Sequence, residues 1–234
     1  MYPRLGPRLR RALLQRAGRD RASDPAVVLP DWYLCHWHFA PGGYLSAPGR
    51  AWYAWIISRF YYQFGERQAQ RLVARELRRA GAKHLLEVGC GPGRLARRLT
   101  RQGFAVAAVD LAPGWVTAAR RAAPRADIRH ADGEALPWPS ETFDAVVLAH
   151  VAGHVPLAVA SALLAEAERV LAPGAPIVLV EHPWHALDFG RFTVALDARF
   201  RWRFQRLVVL RAAATAADAL AVNPDGLVAE QGHA

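Results

Sequence analysis

The chain has 234 residues, 53% of them hydrophobic, and carries 30 Lys and Arg against 20 Asp and Glu, a formal net charge of +10. That length and apolar content suit one domain with decorations and exclude an extended, coreless chain. No apolar run reaches the roughly 20 residues of a membrane-spanning helix. The arginine-broken start "MYPRLGPRLRRALLQRAGRDR" offers no secretory apolar stretch. Cys35 and Cys90 are the only cysteines, too few for a disulfide framework, so a reducing, cytoplasmic setting is expected.

The charge is concentrated at the ends. Residues 1–30 hold seven arginines against Asp20 and Asp24, and residues 191–211 hold six against Asp197. Such segments either attract nucleic acid or anionic lipid, or are simply solvated. In the first, Leu5, Leu9, Leu13 and Ala17 recur at helical spacing, which predicts a short amphipathic helix. Twelve aromatic residues then crowd between Trp32 and Phe64, interrupted by the loop "APGGYLSAPG". This zone reads as a helical cap on the sheet edge or a lid over an apolar acceptor. Together with the basic terminus it also reads as a peripheral membrane anchor. "ERQAQRLVARELRRA" predicts a helix over 66–80, with Leu72, Val73, Glu76 and Leu77 on or near one face and Gly81 as its C-cap.

From Lys83 strands and helices alternate. "HLLEVG", "AVAAVD", "DIRHAD", "FDAVVLAH" and "APIVLVEH" predict five strands, with helices at "RLARRLTRQG", "GWVTAARRAA" and "VASALLAEAERVL". Short apolar strands joined by helices predict an α/β fold: a doubly wound, mainly parallel sheet with helices on both faces. Beyond the fifth strand only "RLVVL" reads clearly as a strand. The alanine-rich run after it and a weak "GLVAE" suggest a remodelled end of the sheet.

In such a sheet ligands bind beyond the carboxyl ends of the strands. At one such end stands "EVGCGPG", with glycines at 89, 91 and 93 that let the backbone turn and approach a ligand. A dinucleotide loop wants G-x-G-x-x-G, but its third glycine position is Arg94. The acid Glu87 suits a cationic ligand and repels a pyrophosphate. Asp110, at the end of the next strand, suits the ribose hydroxyls of a nucleoside and also the N-cap of the following helix. Together these favour S-adenosylmethionine over a nicotinamide dinucleotide.

The segments "LLEVGCGPGRLARRL", "VAAVDLAPGWVTAAR", "ADGEALPWPSETFDAVVLAHVAGHV" and "LLAEAERVLAPGAPIVLVEHP", in that order and spacing, resemble the successive motifs of the class I S-adenosylmethionine-dependent methyltransferases. The resemblance is to the group acting on small molecules, quinones and lipids, and it covers roughly residues 60–185. It implies a Rossmann-like core over 81–190, preceded by a basic extension (1–30) and an aromatic-rich cap (31–80) and completed by 191–234. It also implies that Glu87, Gly89, Cys90, Gly91 and Gly93 face the methionine part of the cofactor and Asp110 the ribose. Leu111, Asp132 and Gly133 would surround the adenine, His150 would lie near the transferable methyl, and Tyr61 or Tyr62 (here Tyr62) would close over the methionine end.

Four histidines follow strand ends: His150, His154, His182 and His185. Histidine is the natural base for an oxygen or carbon nucleophile, and His150 and His154 are the candidate catalytic residues. His154 matches a family position whose role is often structural. Cys35-His36-Trp37-His38 lacks the ligand spacing of a zinc site, and no metal is expected. The acceptor is expected to be a small apolar, aromatic or amphiphilic molecule, with peripheral membrane contact through residues 1–30. The "LAHVAGH" after the fourth strand lacks the Asn/Asp-Pro-Pro-aromatic run of base-amino methyltransferases, which disfavours a nucleic-acid acceptor. A fold that binds the cofactor without methylating is the other alternative.

Overall fold

The computed structural model describes residues 6–35, 43–56, 65–182, 189, 192–199 and 206–212. Its centre is a seven-stranded sheet ordered β3-β2-β1-β4-β5-β7-β6. The parallel strands are β1 (His84–Val88), β2 (Ala105–Asp110), β3 (Asp127–His130), β4 (Ala145–Ala149) and β5 (Ile177–Glu181). β6 (Phe192–Arg199) and β7 (Arg206–Ala212) run antiparallel to each other, and β7 pairs antiparallel with β5.

The strands are apolar on both sides because both faces are covered. Alternate residues divide between two cores: Leu85, Ala108, Val147 and Val178 enter one, and Leu86, Val109, Leu148 and Leu179 the other. The first core is closed by three helices. α4 (Arg67–Arg79) contributes Val73 and Leu77, α5 (Arg94–Arg101) Leu95 and Leu99, and α6 (Pro113–Ala122) Val116 and Ala119. α7 (Leu157–Val170) closes the second with Leu163, Leu164 and Val170. The expected doubly wound sheet is therefore present. α4, assigned by sequence to the cap, packs as a core helix. Gly81, with φ +71, follows it as expected for a left-handed C-cap.

The end of the sheet differs from the sequence expectation. The antiparallel pair is intact, and "FTVALDAR", not foreseen as a strand, forms β6. Its pairing shifts between Val194 and Leu196, a bulge that sends Val194 to one core and Leu196 to the other. That break in alternation hid the strand. "GLVAE" lies outside the described residues.

The N-terminal segment is fastened to the core. α1 (Pro7–Gly18) forms where predicted, but Leu13 and Ala17 are buried in a cluster with Leu34, Leu45 and Trp115. Leu13 and Ala17 therefore face protein, while Leu9 and the arginines of the helix are exposed and Leu5 lies outside the described residues. Just beyond, Asp24 N–H donates to His130 Nδ1 at 2.9 Å and the opposite ring nitrogen of His130 meets Leu111 O at 3.1 Å. A neutral imidazole carrying its proton on Nε2 makes both bonds. The short helix α2 (Asp31–Cys35), a 3-10 turn at Gly43–Leu45 and α3 (Ala47–Ile56) carry the aromatic residues past α6. There Arg50 donates to the carbonyls of Tyr44 and Leu45 at 2.8 and 3.0 Å. Among the described residues no helix is long and apolar enough to cross a membrane.

Candidate cofactor and active site

Strand order reverses between β1 and β4, and a cleft of about 830 Å³ opens beyond the carboxyl ends there. A second lobe of about 580 Å³ shares Tyr53, Gly89, Gly91, Ala149 and His150 with it. The glycine loop forms the boundary between the two.

Gly89, Gly91 and Gly93 have φ of +72, +51 and +74, the left-handed region open mainly to glycine. Two of them also have no room for a side chain. A Cβ on Gly93 would stand 2.8 Å from the Ala119 backbone, and one on Gly89 2.4 Å from a Val151 methyl. The N–H groups of Gly89 and Cys90 both reach Val109 O, at 2.9 and 3.0 Å. Gly91 N–H donates to Asp110 Oδ2 at 2.8 Å, and Ala112 N–H to Asp110 Oδ1 at 2.9 Å. Asp110 is thus both a turn-capping group and a lining residue of the cleft, with lone pairs left for a ligand's hydroxyls.

Glu87 lines the second lobe and is 3% exposed. The Ala96 main-chain N–H steadies its carboxyl, yet Oε2 has no hydrogen-bond partner among the described residues. Burial pushes its pKa up to about 8, with Asp110 and Glu66 adding to the rise. Asp110 is raised to about 6, also by burial. A helix start such as that of α5 can offer free N–H groups to an anion. Instead carboxylates already occupy the Gly91 and Ala96 N–H groups, so the loop is a poor pyrophosphate nest. It presents an unsatisfied acceptor to a cation.

Arg94, which could have been read as a phosphate ligand, is engaged in structure. It donates to Glu66 Oε2 at 3.4 Å and to Ala54 O at 3.3 Å, tying the loop to α4 and α3. Cys90 is buried, and burial pushes its thiol well above its ordinary pKa, so it is a packed filler of the loop.

Leu111, Asp132 and Gly133 line the larger lobe beside Asp110. A Cβ on Gly133 would meet Leu163 at 2.5 Å and Val88 at 2.9 Å, so its bareness lets this wall close-pack. Opposite stand Trp32, Tyr33, Tyr44, Tyr53 and Trp115. Tyr44 and Tyr53 meet edge to face at 5.0 Å, and Tyr53 and Trp115 at 5.7 Å. Burial, with Asp110 nearby, holds the Tyr33 hydroxyl well above its usual pKa. Tyr61, Tyr62 and His185 lie outside the described residues, as do His36 and His38.

His150 directly follows β4 with φ +58, a left-handed conformation unusual for a non-glycine residue. His150 and His154 both line the cleft, while His182, 6% exposed, stands just behind them. The His182 ring is 5.0 Å from that of His150 and 5.8 Å from that of His154. Sequence reading placed each histidine at a strand end but did not bring the three together. It also did not single out Trp115, whose signal was its place in the first turn of the helix after Asp110. Tyr53, Glu66 and Gln70 carried no local signal.

A doubly wound sheet with a cleft where the strand order reverses defines an open α/β fold of the kind that binds ligands at that point. Residues 86–179 match a family model described as a methyltransferase domain. A demethylmenaquinone methyltransferase of Thermus thermophilus is 37% identical over 107 residues, covering 43% of this chain and 48% of that protein. A ribosomal RNA small subunit methyltransferase C of Chromohalobacter salexigens is 34% identical over 163 residues, covering 63% of this chain and 47% of that protein. The matched region is thus about half the length of these curated relatives. The crystal structure of magnesium protoporphyrin IX methyltransferase from Synechocystis PCC 6803, with bound S-adenosylhomocysteine, superposes with a TM-score of 0.60. The alignment covers 73% of this chain and 97% of that one at 18% identity, a likeness of fold. Residues 86–179 are thus similar to a methyltransferase domain, and the sheet around them shares its fold with a solved methyltransferase.

Proposed function

We propose that the protein binds S-adenosylmethionine and transfers its methyl group to an oxygen, nitrogen or carbon nucleophile of a small apolar, aromatic or amphiphilic acceptor. The observation that carries this reading is Glu87. Its buried carboxyl, with Oε2 unsatisfied, stands beside three left-handed glycines, in lobes joined to the one that Asp110 lines. Those groups fit the cofactor's ammonium, its main-chain approach and its ribose hydroxyls. When bound, S-adenosylmethionine supplies a methyl group on a sulfonium, open to in-line displacement.

The residues of this chain divide the remaining work. Glu87 and the loop hold the methionine end. Asp110, Leu111, Asp132 and Gly133 hold the adenosine. Tyr44, Tyr53 and Trp115 exclude water and give a flat acceptor an apolar wall. His150 and His154 stand at the mouth of the cleft, where they accept a proton from an acceptor hydroxyl.

The quinone-related name of the Thermus relative supports an aromatic, amphiphilic acceptor. The ribosomal RNA relative and the net charge favour a nucleic-acid acceptor instead. Against that reading stands "LAHVAGH", without the Pro-Pro-aromatic run, and an aromatic wall suited to apolar ligands. Incubation with S-adenosylmethionine and parallel panels of quinols, phenols and RNA decides between them. S-adenosylhomocysteine formed with a quinol or phenol supports the proposal. Formation with RNA alone replaces the acceptor, and tight binding without turnover on any panel leaves a cofactor-binding protein that does not methylate.

A further inference from the structure

Among the described residues, one potential ligand nitrogen from each of His150, His154 and His182 lies within 4.8 Å of the others. The three come from separate elements: the residue after β4, the 3-10 turn Ala152–His154 and the residue after β5. Sequence spacing alone, which suggested no metal, cannot reveal such a set. We propose that these imidazoles form a binding site for a divalent transition-metal ion on the wall of the cleft.

The ligand chemistry selects the ion. Imidazole suits Zn²⁺, Co²⁺, Ni²⁺ and Cu²⁺, whereas Mg²⁺ and Ca²⁺ want oxygen ligands. Zinc–nitrogen bonds of about 2.0–2.1 Å place tetrahedral nitrogens roughly 3.4 Å apart. Separations within 4.8 Å need ring rotations that bring the nitrogens closer by up to about 1.4 Å. The rings are inclined, not stacked, at 38° for His150 and His182 and 78° for His154 and His182. Inclined rings can direct one nitrogen each toward a common point.

The backbone is prepared for this task. His150 holds its left-handed φ of +58 while its N–H donates to Val180 O at 2.7 Å. Strained backbone at a strand end persists where its surroundings over-determine it. The fully buried Glu181 accepts the Val151 N–H at 2.8 Å, so the loop bearing two ligands is tied to the strand bearing the third.

Three protein ligands leave a coordination position open, the pattern of catalytic rather than structural zinc. His150 and His154 line the cleft, so that position falls on the acceptor side. A hydroxyl ligand there loses its proton to water and remains on the ion as an oxyanion, with no change in oxidation state. With the ion bound, the imidazoles act as ligands. Without it, His150 and His154 keep the proton-accepting role. The use of the site rests on the methyl-transfer reading, whereas the binding of an ion does not.

The test is a Co²⁺ titration of the full chain without an affinity tag, followed by visible ligand-field absorption and reversed by Zn²⁺. One equivalent should produce intense tetrahedral bands. His182→Gln and His154→Gln should each weaken binding at least about tenfold, since even the loss of a supporting partner costs about 10–100-fold. The exposed His84→Gln control should leave the bands unchanged. X-ray absorption of the zinc-loaded wild type should count three imidazoles, a readout that survives if a variant fails to fold. Absence of bands, or bands unchanged in both variants, overturns the site. Calorimetry of the metal-free protein with S-adenosylhomocysteine separates the two readings. Cofactor binding without metal binding overturns only this site, and metal binding without cofactor binding overturns only the proposed function.

Discussion

Glu87 shows how a single side chain carries a functional argument. Its folded pKa of about 8 lies above the ordinary 4.5, so at neutral pH the carboxyl of the ligand-free protein is largely protonated. A cationic ligand group favours the ionised form and lowers that pKa. Binding of S-adenosylhomocysteine at pH 7 should therefore release a proton, measured by calorimetry in buffers of different ionisation enthalpy. Glu87→Gln should abolish the release and weaken binding by about 1.5–3 kcal/mol, roughly 10–150-fold in Kd. No proton release in the wild type would contradict the assignment of Glu87 to the ammonium. The positions of Glu87, the three glycines and Asp110 were legible in the sequence because strand, loop and helix fix them locally. Tyr53, Glu66 and Trp115 reach the same cleft from three helices. Only tertiary packing brings them there, so spacing could not announce them.

Among the elements, the five parallel strands and their helices were legible because four of the strands are short apolar runs bounded by glycine or a charged helix, while β3, at the edge, follows from its place after α6. β6 was not, because its bulge breaks the alternation and arginines surround it. The β6–β7 hairpin matters to the whole sheet, since β7 covers the edge of β5 and places Leu207 and Leu210 in opposite cores. Leu210 is fully buried. Leu210→Ala should cost about 2–5 kcal/mol, read as a lower urea midpoint with an unchanged slope. A loss below about 0.5 kcal/mol, the usual range of surface changes, would mean that β7 adds little to the core. The leucine spacing predicts α1 as a short amphipathic helix. Which surface that stripe would meet depended on the aromatic residues packed against α6, beyond the reach of periodicity.

Two properties belong to the whole molecule. Burial raises the folded pKa of Glu87 to about 8 from 4.5 and of Asp110 to about 6 from 3.8. Their contributions to stability are full below the unfolded values and are lost as pH rises through the folded ones. The ligand-free protein should therefore melt at progressively lower temperature from about pH 5 to about pH 8.5. Glu87→Gln should flatten the upper part of that slope, and an unchanged slope in the variant would contradict it. The second property is the charge of +10. Arg8, Arg11 and Arg16 lie exposed on α1, and Trp52 and Trp55 stack at 5.3 Å on the surface of α3, 46% and 53% exposed. We propose a peripheral contact with anionic lipid, carried by this charge and by the tryptophan pair. Flotation with anionic vesicles should recover the protein at low salt and lose it at high salt. Trp52→Ala with Trp55→Ala should weaken recovery, and equal recovery with neutral vesicles would remove the proposal.

On the proposed reading, the cleft beside Glu87 and Asp110 takes a sulfonium nucleoside and not a dinucleotide. Calorimetric titration of the full chain with S-adenosylmethionine, S-adenosylhomocysteine and NADH tests it most directly. One binding site per chain is expected for each of the first two ligands, with no heat of binding for NADH. Binding of NADH alone would contradict it.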